Sequence, residues 1–176
     1  MRILALDIAT HCGWAAYPDG SGVWDLSPVT ATKKRKASDA LHRERTLWLH
    51  LSWHFHNTPR AGDALVIEDS EGFNYKGKRA HEVAANLRGV CRAYCALHSI
   101  GYYEVHPVTL KKATTGKGNA GKDKMLAYAK NNLGLQSDNE DEADALCLLD
   151  YFTSIHAPDI HESWRNLLRS RESFTP

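Results

Sequence analysis

The sequence predicts an α/β fold built on a five-stranded sheet with mixed strand directions. Two patterns carry that expectation. Three strand-like segments follow one another closely at the start of the chain, which argues for an antiparallel meander. Helical and strand-like segments then alternate, the mark of an α/β arrangement in which helices cover the sheet. At 176 residues the chain is long enough for one domain with its own core.

The elements follow in order. Residues 2–9 form the first strand, with the apolar run Ile3-Leu4-Ala5-Leu6 leading into Asp7. A turn and a second strand, Gly13-Trp14-Ala15-Ala16-Tyr17, fall between His11 and Asp19, and a third strand lies near Gly22 to Val29. Residues 30–37 are polar and basic and read as a loop. From Ser38, a plausible N-cap, to Asn57, apolar residues recur at helical spacing through Leu41, Leu47, Trp48, Leu51 and Phe55. The segment from Pro59 to Asp63 turns into a fourth strand at 64–69, and a loop rich in Gly, Lys and aromatics follows to Arg79. A helix over 80–99 carries Val83, Leu87, Val90, Cys91, Tyr94 and Leu97 as an apolar stripe. Tyr102 to His106 is the fifth strand. Pro107 opens a short helix that stops before Gly116. Helices over 122–133 and 139–156 come next. Ala157-Pro158 then breaks the chain before a last amphipathic helix, about 158–170, with Trp164, Leu167 and Leu168. There are no internal repeats and no low-complexity linker, so residues 1–176 are expected to form a single domain with that last helix as an addition.

Composition excludes some classes. A content of 43% hydrophobic and 24% charged residues is ordinary for a soluble globular chain. No run approaches a membrane span, and Met1 leads into a strand without a signal-peptide pattern, so a cytoplasmic protein with no membrane partner is expected. Cys12, Cys91, Cys95 and Cys147 are scattered without a CxxC pair and read as buried free thiols. His50, His54 and His56 have no carboxylate adjacent in sequence and read as surface and packing residues.

The net charge of +1 does not suggest nucleic acid, but its distribution does. Lys33-Lys34-Arg35-Lys36 is a basic block, and Arg2, Lys76, Lys78, Arg79, Arg88 and Arg92 add scattered cations. Between Lys111 and Lys130 six lysines stand against the single acid Asp123, whereas acids concentrate from Asp138 to Asp144. Basic surface around an acidic centre suits an enzyme that holds a polyanion.

The acids themselves are the sharpest signal. Asp7 sits in an apolar strand, where a lone carboxylate is costly unless something positive compensates it. Glu68 ends a second such run, Ala64-Leu65-Val66-Ile67. On the helix over 139–156, a turn of about 100° per residue puts Asp141 and Asp144 on one stripe with Ala145, Leu148, Tyr151, Phe152 and Ile155, and sends Asp150 to the opposite side. Helix-dipole capping explains acids in a first turn, but not two on the apolar face. Metal binding explains both. With oxygen donors and neither thiol nor imidazole, Mg²⁺ or Mn²⁺ is expected rather than zinc. Two such ions about 4 Å apart serve phosphodiester hydrolysis.

Four blocks give the chain a resemblance to the RuvC family of Holliday-junction resolvases, within the RNase H-like superfamily. They are Ile3-Leu4-Ala5-Leu6-Asp7 with Gly13-Trp14-Ala15; Val66-Ile67-Glu68 with Arg88-Gly89; Val108-Thr109-Leu110-Lys111 with Thr115-Gly116-Lys117-Gly118-Asn119-Ala120-Gly121-Lys122; and Asp141-Glu142-Ala143-Asp144-Ala145-Leu146. They span roughly residues 1–156. The resemblance implies an RNase H-like sheet flanked by helices and a homodimer that holds one four-way DNA junction and nicks two opposed strands symmetrically. It implies Asp7, Glu68, Asp141 and Asp144 as catalytic metal ligands, for two ions per site. It implies Lys122 as a catalytic cation that also contacts phosphate, and Lys111 beside it. Lys117, Lys76, Lys78, Arg79 and Arg88 join them as DNA-binding residues. Phe73 or Tyr75, which follow Glu68, would stack at the junction. The helix over 80–99 would form the dimer surface. Ile8-Ala9-Thr10 after Asp7 and the helix beyond Ala157 depart from the family pattern, in the way of viral or phage relatives. Two alternatives stay open: a broader nuclease on forks, flaps and branched DNA, and a non-catalytic junction-binding protein.

Overall fold

The computed structural model describes residues 1–27, 41–56, 60–69 and 78–172, and side chains throughout these except at 78, 79 and 169–172. The expected sheet is present, in the order β3-β2-β1-β4-β5. Strands β1 (Ile3–Asp7), β2 (His11–Tyr17) and β3 (Gly20–Asp25) form the antiparallel meander. On the other side of β1, β4 (Ala64–Glu68) and β5 (Gly101–Val105) run parallel to it. The chain therefore leaves β1 in one direction across the sheet and returns to build the other half, and the β1/β4 seam is where the connection reverses. Ligands of open α/β sheets bind at such a seam, beyond the carboxyl ends of the strands. Asp7 ends β1 and Glu68 ends β4.

Two core clusters lie on opposite faces, and the two-residue alternation of β1 sorts them. Leu4 and Leu6 pack with Leu65, Ile67, Leu47, Leu51, Leu87 and Tyr94, under helices α1 (His42–His54) and α2 (Lys78–His98). Ile3 and Ala5 pack with Val66, Met125, Leu146, Leu148 and Phe152, under α3 (Pro107–Thr115), α4 (Lys122–Leu133), α5 (Glu140–His156) and α6 (Pro158–Glu172). Both faces of β1 and β4 are thus covered, which is why their sequences read as unbroken apolar runs. At the amino ends of this pair Asp63 pins the register. It accepts hydrogen bonds from the Arg2 backbone N at 2.7 Å and from Arg2 Nη2 at 2.6 Å.

The helix caps follow local chemistry. Asn139 accepts a hydrogen bond from the Glu142 backbone N and starts α5, and Gly116, at φ 78°, ends α3 in the left-handed conformation that favours glycine. The third strand stops at Asp25, short of the expected Val29, and α1 begins after Leu41, whose side chain makes no cap hydrogen bond. Ser38 lies outside the described residues. All four cysteines are buried and free. His54 is buried as a packing residue, but a carboxylate distant in sequence does approach it, Asp19 Oδ2 at 3.6 Å from Nδ1. Burial lowers its pKa to about 4.

Leu87, Cys91 and Tyr94 of the α2 stripe are spent on the core beneath α1, so the stripe by itself gives no reason for a dimer; only Leu97, 69% exposed, is left outside. Asp150 does point away from the sheet stripe, yet it is 5% exposed, because α4 and α6 cover that side too. It accepts from Arg165 Nε at 2.8 Å and Tyr128 Oη at 2.8 Å, and His161 Nε2 lies 2.9 Å away. This network fastens α6 to α4 and α5. Among the described residues, no helix is long and apolar enough to cross a membrane.

Candidate active site

Asp7 and Glu68 end neighbouring parallel strands. The register pairs Leu6 with Ile67, so the next step sets Asp7 beside Glu68. Both follow Ala5 and Val66 in alternation, and those residues face α5. The helix meets them because of Gly13. That glycine pairs with Asp7 across β1–β2, and a Cβ built on it would stand 1.9 Å from the backbone oxygen of Asp141. The first turn of α5 therefore lies directly on the strand, and Asp141 and Asp144 descend onto the two strand-end acids.

Charge coupling records how close the four are. Burial raises the Asp7 carboxyl well above its ordinary value, and Asp144, Glu68 and Asp141 add to the effect while Lys122 opposes it. Burial, then Asp144, lifts Glu68 to about 7, against Lys111 and Lys122. Asp144 is lifted to about 6 by burial, with Lys122 and Lys111 opposing and Asp141 and Glu140 assisting. Burial would lower the ammonium of Lys122, but Asp144, Glu140, Asp7 and Asp141 reverse this and raise it. Desolvation combined with like-charge pairing is the signature of a functional site.

Six of the expected residues are thus in one place: Asp7, Glu68, Asp141, Asp144, Lys111 and Lys122. The donor set is carboxylate oxygen throughout, the chemistry of Mg²⁺ or Mn²⁺. The carboxylates are coupled by charge rather than already converged. No group of three His, Cys, Asp or Glu side chains among the described residues stands ready to hold a metal ion.

The other expected residues fall elsewhere. Lys117 is exposed on the loop between α3 and α4. Arg88 is 7% exposed with its guanidinium 3.9 Å from Asp69, next to Glu68, so it braces the end of β4. Arg2 is likewise buried, against Asp63. Phe73, Tyr75, Lys76 and the block from Lys33 to Lys36 lie outside the described residues, as do the side chains of Lys78 and Arg79 at the start of α2.

Sequence reasoning missed three contributors. Glu140 approaches Lys122 Nζ at 3.3 Å, closer than Asp141 at 3.9 Å. Glu142 is held by Ser21 and Ser137. Gly13 shapes the seat of α5, and a glycine inside a strand is the one signal of these that was legible, since it marks close backbone approach.

No family model matches the chain. Among curated relatives, the RuvC crossover junction endodeoxyribonuclease of Chlamydia muridarum is 33% identical over 153 residues, covering 83% of this chain and 87% of that one. The RuvC of Anaeromyxobacter sp. (strain K) is 41% identical over 76 residues, a match in which the chain spans only 41% of the relative. In three dimensions the chain is similar to Thermus thermophilus RuvC in complex with Holliday junction substrate. The TM-score is 0.63 at 19% identity, covering 93% of this chain and 97% of that one. The shared fold is the RNase H-like sheet expected from the sequence.

Proposed function

The chain belongs to the RuvC family of crossover junction endodeoxyribonucleases, and from that premise we propose that Asp7, Glu68, Asp141 and Asp144 are its metal-holding catalytic acids, acting on four-way DNA junctions. The supporting observation is the burial and mutual charge coupling of two strand-end acids and two helix acids at the sheet's reversal seam, with Lys111 and Lys122 coupled to them. The whole chain acts as one nuclease domain, with α6 appended. It works in the cytoplasm as a homodimer, one protomer for each of two opposed strands.

Each set of residues has its task. The four carboxylates would hold the divalent cations, two Mg²⁺ or Mn²⁺ ions in this reading. When bound, such ions supply Lewis acidity and charge neutralisation for phosphodiester hydrolysis. Lys111 and Lys122 hold the phosphate beside the acids and offset its charge. The Lys122 ammonium, kept protonated by the acids around it, orients the phosphate and stabilises charge that develops there. Lys117 extends the cationic contact along the backbone. Lys76, Lys78 and Arg79, with a stacking ring from Phe73 or Tyr75, serve the same DNA from the stretch of sequence that runs from Glu68 into the start of α2.

The test compares a labelled four-way junction with a fork, a flap and a linear duplex, in Mg²⁺ and in EDTA. Metal-dependent paired nicks at the junction are expected. Equal cutting of forks and flaps would move the assignment to a general debranching nuclease, and binding without cutting would make it a junction-binding protein. Asp7→Asn should cut at least about 100-fold more slowly, since even outer partners of metal ligands cost 10–100-fold. It should bind the junction no more weakly, having lost a negative charge beside phosphate. Full activity in this variant overturns the metal assignment.

A further inference from the structure

The first turn of α5 faces a mechanical problem. It brings Asp141 and Asp144 against Asp7 and Glu68, and Glu140 and Glu142 add to the negative charge on the same turn. Repulsion pushes the helix end away from the strands. The shape fit at Gly13 allows the close approach but does not hold it.

Glu142 bridges this approach. Ser21 Oγ, on β3, donates to Glu142 Oε1 at 2.7 Å, and Ser137 Oγ, on the loop before α5, donates to Oε2 at 2.7 Å. The loop is tied in turn to the helix cap. Glu142 N donates to Asn139 Oδ1 at 3.0 Å, and Asn139 N donates to Ser137 Oγ at 3.3 Å. Glu142 thus joins the edge strand, the loop and the first turn through one half-buried carboxylate. Both of its oxygens are engaged by hydroxyls, so it is turned away from the acid cluster and is no ligand there. Its partner on the strand is neutral, which tethers the helix without adding charge to the cluster.

We propose that Glu142 is a positioning residue: its bridge from Ser21 to Ser137 fixes the first turn of α5 in the register that aims Asp141 and Asp144 at Asp7 and Glu68, and so sets the affinity for the divalent cation. This rests on the reading of the four acids as a metal site. It adds a residue that touches neither metal nor DNA.

The test is Mn²⁺ binding to the full chain without DNA, followed by the electron paramagnetic resonance of free Mn²⁺ at pH 8, with thermal midpoints in parallel. Glu142→Ala should weaken binding about tenfold, the range found for residues that orient metal ligands. Ser21→Ala, which removes one hydroxyl and threatens the fold little, should weaken it in the same direction by less. Glu142→Gln should stay close to the unmodified chain, because an amide accepts from Ser21 and donates to Ser137 Oγ. Unchanged affinity in folded Glu142→Ala and in Ser21→Ala overturns the proposal. So does Glu142→Gln if it is as weak as Glu142→Ala, since charge and not the bridge would then be acting. Asp141→Asn is the reference. If it binds Mn²⁺ as tightly as the unmodified chain, or if that chain binds none, the metal-site reading fails and this inference fails with it.

Discussion

A carboxyl group that ionises only near neutrality makes the metal-free protein less stable as the solution becomes more alkaline. Glu68 is that group, lifted to about 7 by burial and then by Asp144. Below its ordinary value of 4.5 both folded and unfolded chains keep the proton, and the residue costs nothing. Between 4.5 and about 7 the unfolded chain gives up the proton readily while the folded chain retains it, so stability falls across that window and then levels off. Asp144, lifted to about 6, acts in the same sense over a window that closes earlier. Glu68→Gln should therefore stabilise the protein in EDTA by about 3 kcal/mol at pH 8, and by little at pH 4. Urea unfolding at both pH values measures this, and a gain that does not depend on pH would refute the cause given. Asp7 and Glu68 were legible in the sequence because an acid that closes an apolar run stands out by polarity alone. Glu142 and the Arg88–Asp69 pair were not, because what defines them is a partner distant in sequence or across the fold.

The elements were legible wherever one period governed them. The helix over 122–133 coincides with α4, and the proline and glycine that bracket α3 mark its ends as expected. The use of the faces was harder to read. The stripe of α2 fits either a partner or the chain's own core; within the chain, α1 and the sheet bury Leu87, Cys91 and Tyr94, because a stripe records only that something covers it. Asp150 lies on the side of α5 opposite the sheet, as the periodicity expects; what periodicity does not show is that α4 and α6 cover that side too. The same layering makes the glycines a test at element scale. In Gly13→Ala the new methyl would meet a backbone oxygen at 1.9 Å, with no flexible side chain to yield, so α5 must lift from β2. A loss of about 3 kcal/mol is expected, together with cleavage. Gly89, in the middle of α2, has nothing among the described residues within 4 Å of its Cβ position. Gly89→Ala should stabilise the protein by about 0.5–1 kcal/mol and leave cleavage intact. Equal thermal midpoints for the two variants would show that α5 does not rest on Gly13.

At the scale of the whole molecule, the candidate acids form one cluster at one end of one sheet. A four-way junction is cut productively only when two opposed strands are nicked together, so the proposed activity calls for two copies of the chain related by a two-fold axis. The coupling can be read by poisoning one copy. Unmodified chain and Asp7→Asn are mixed, allowed to exchange, and given a supercoiled plasmid that extrudes a cruciform. A dimer with two intact sites makes both nicks within one encounter and releases linear DNA. A mixed dimer makes one nick, which relaxes the supercoil, reabsorbs the cruciform and leaves a nicked circle. Nicked circles should therefore rise at the expense of linear product as the Asp7→Asn share grows, while total binding stays constant. Chains that act one at a time would give a different result: at matched concentrations of active chain, the ratio of linear to nicked DNA would not depend on how much Asp7→Asn is present. Sedimentation of the complex supplies the stoichiometry, with two chains of 19.7 kDa per junction expected and one per junction excluding the pair.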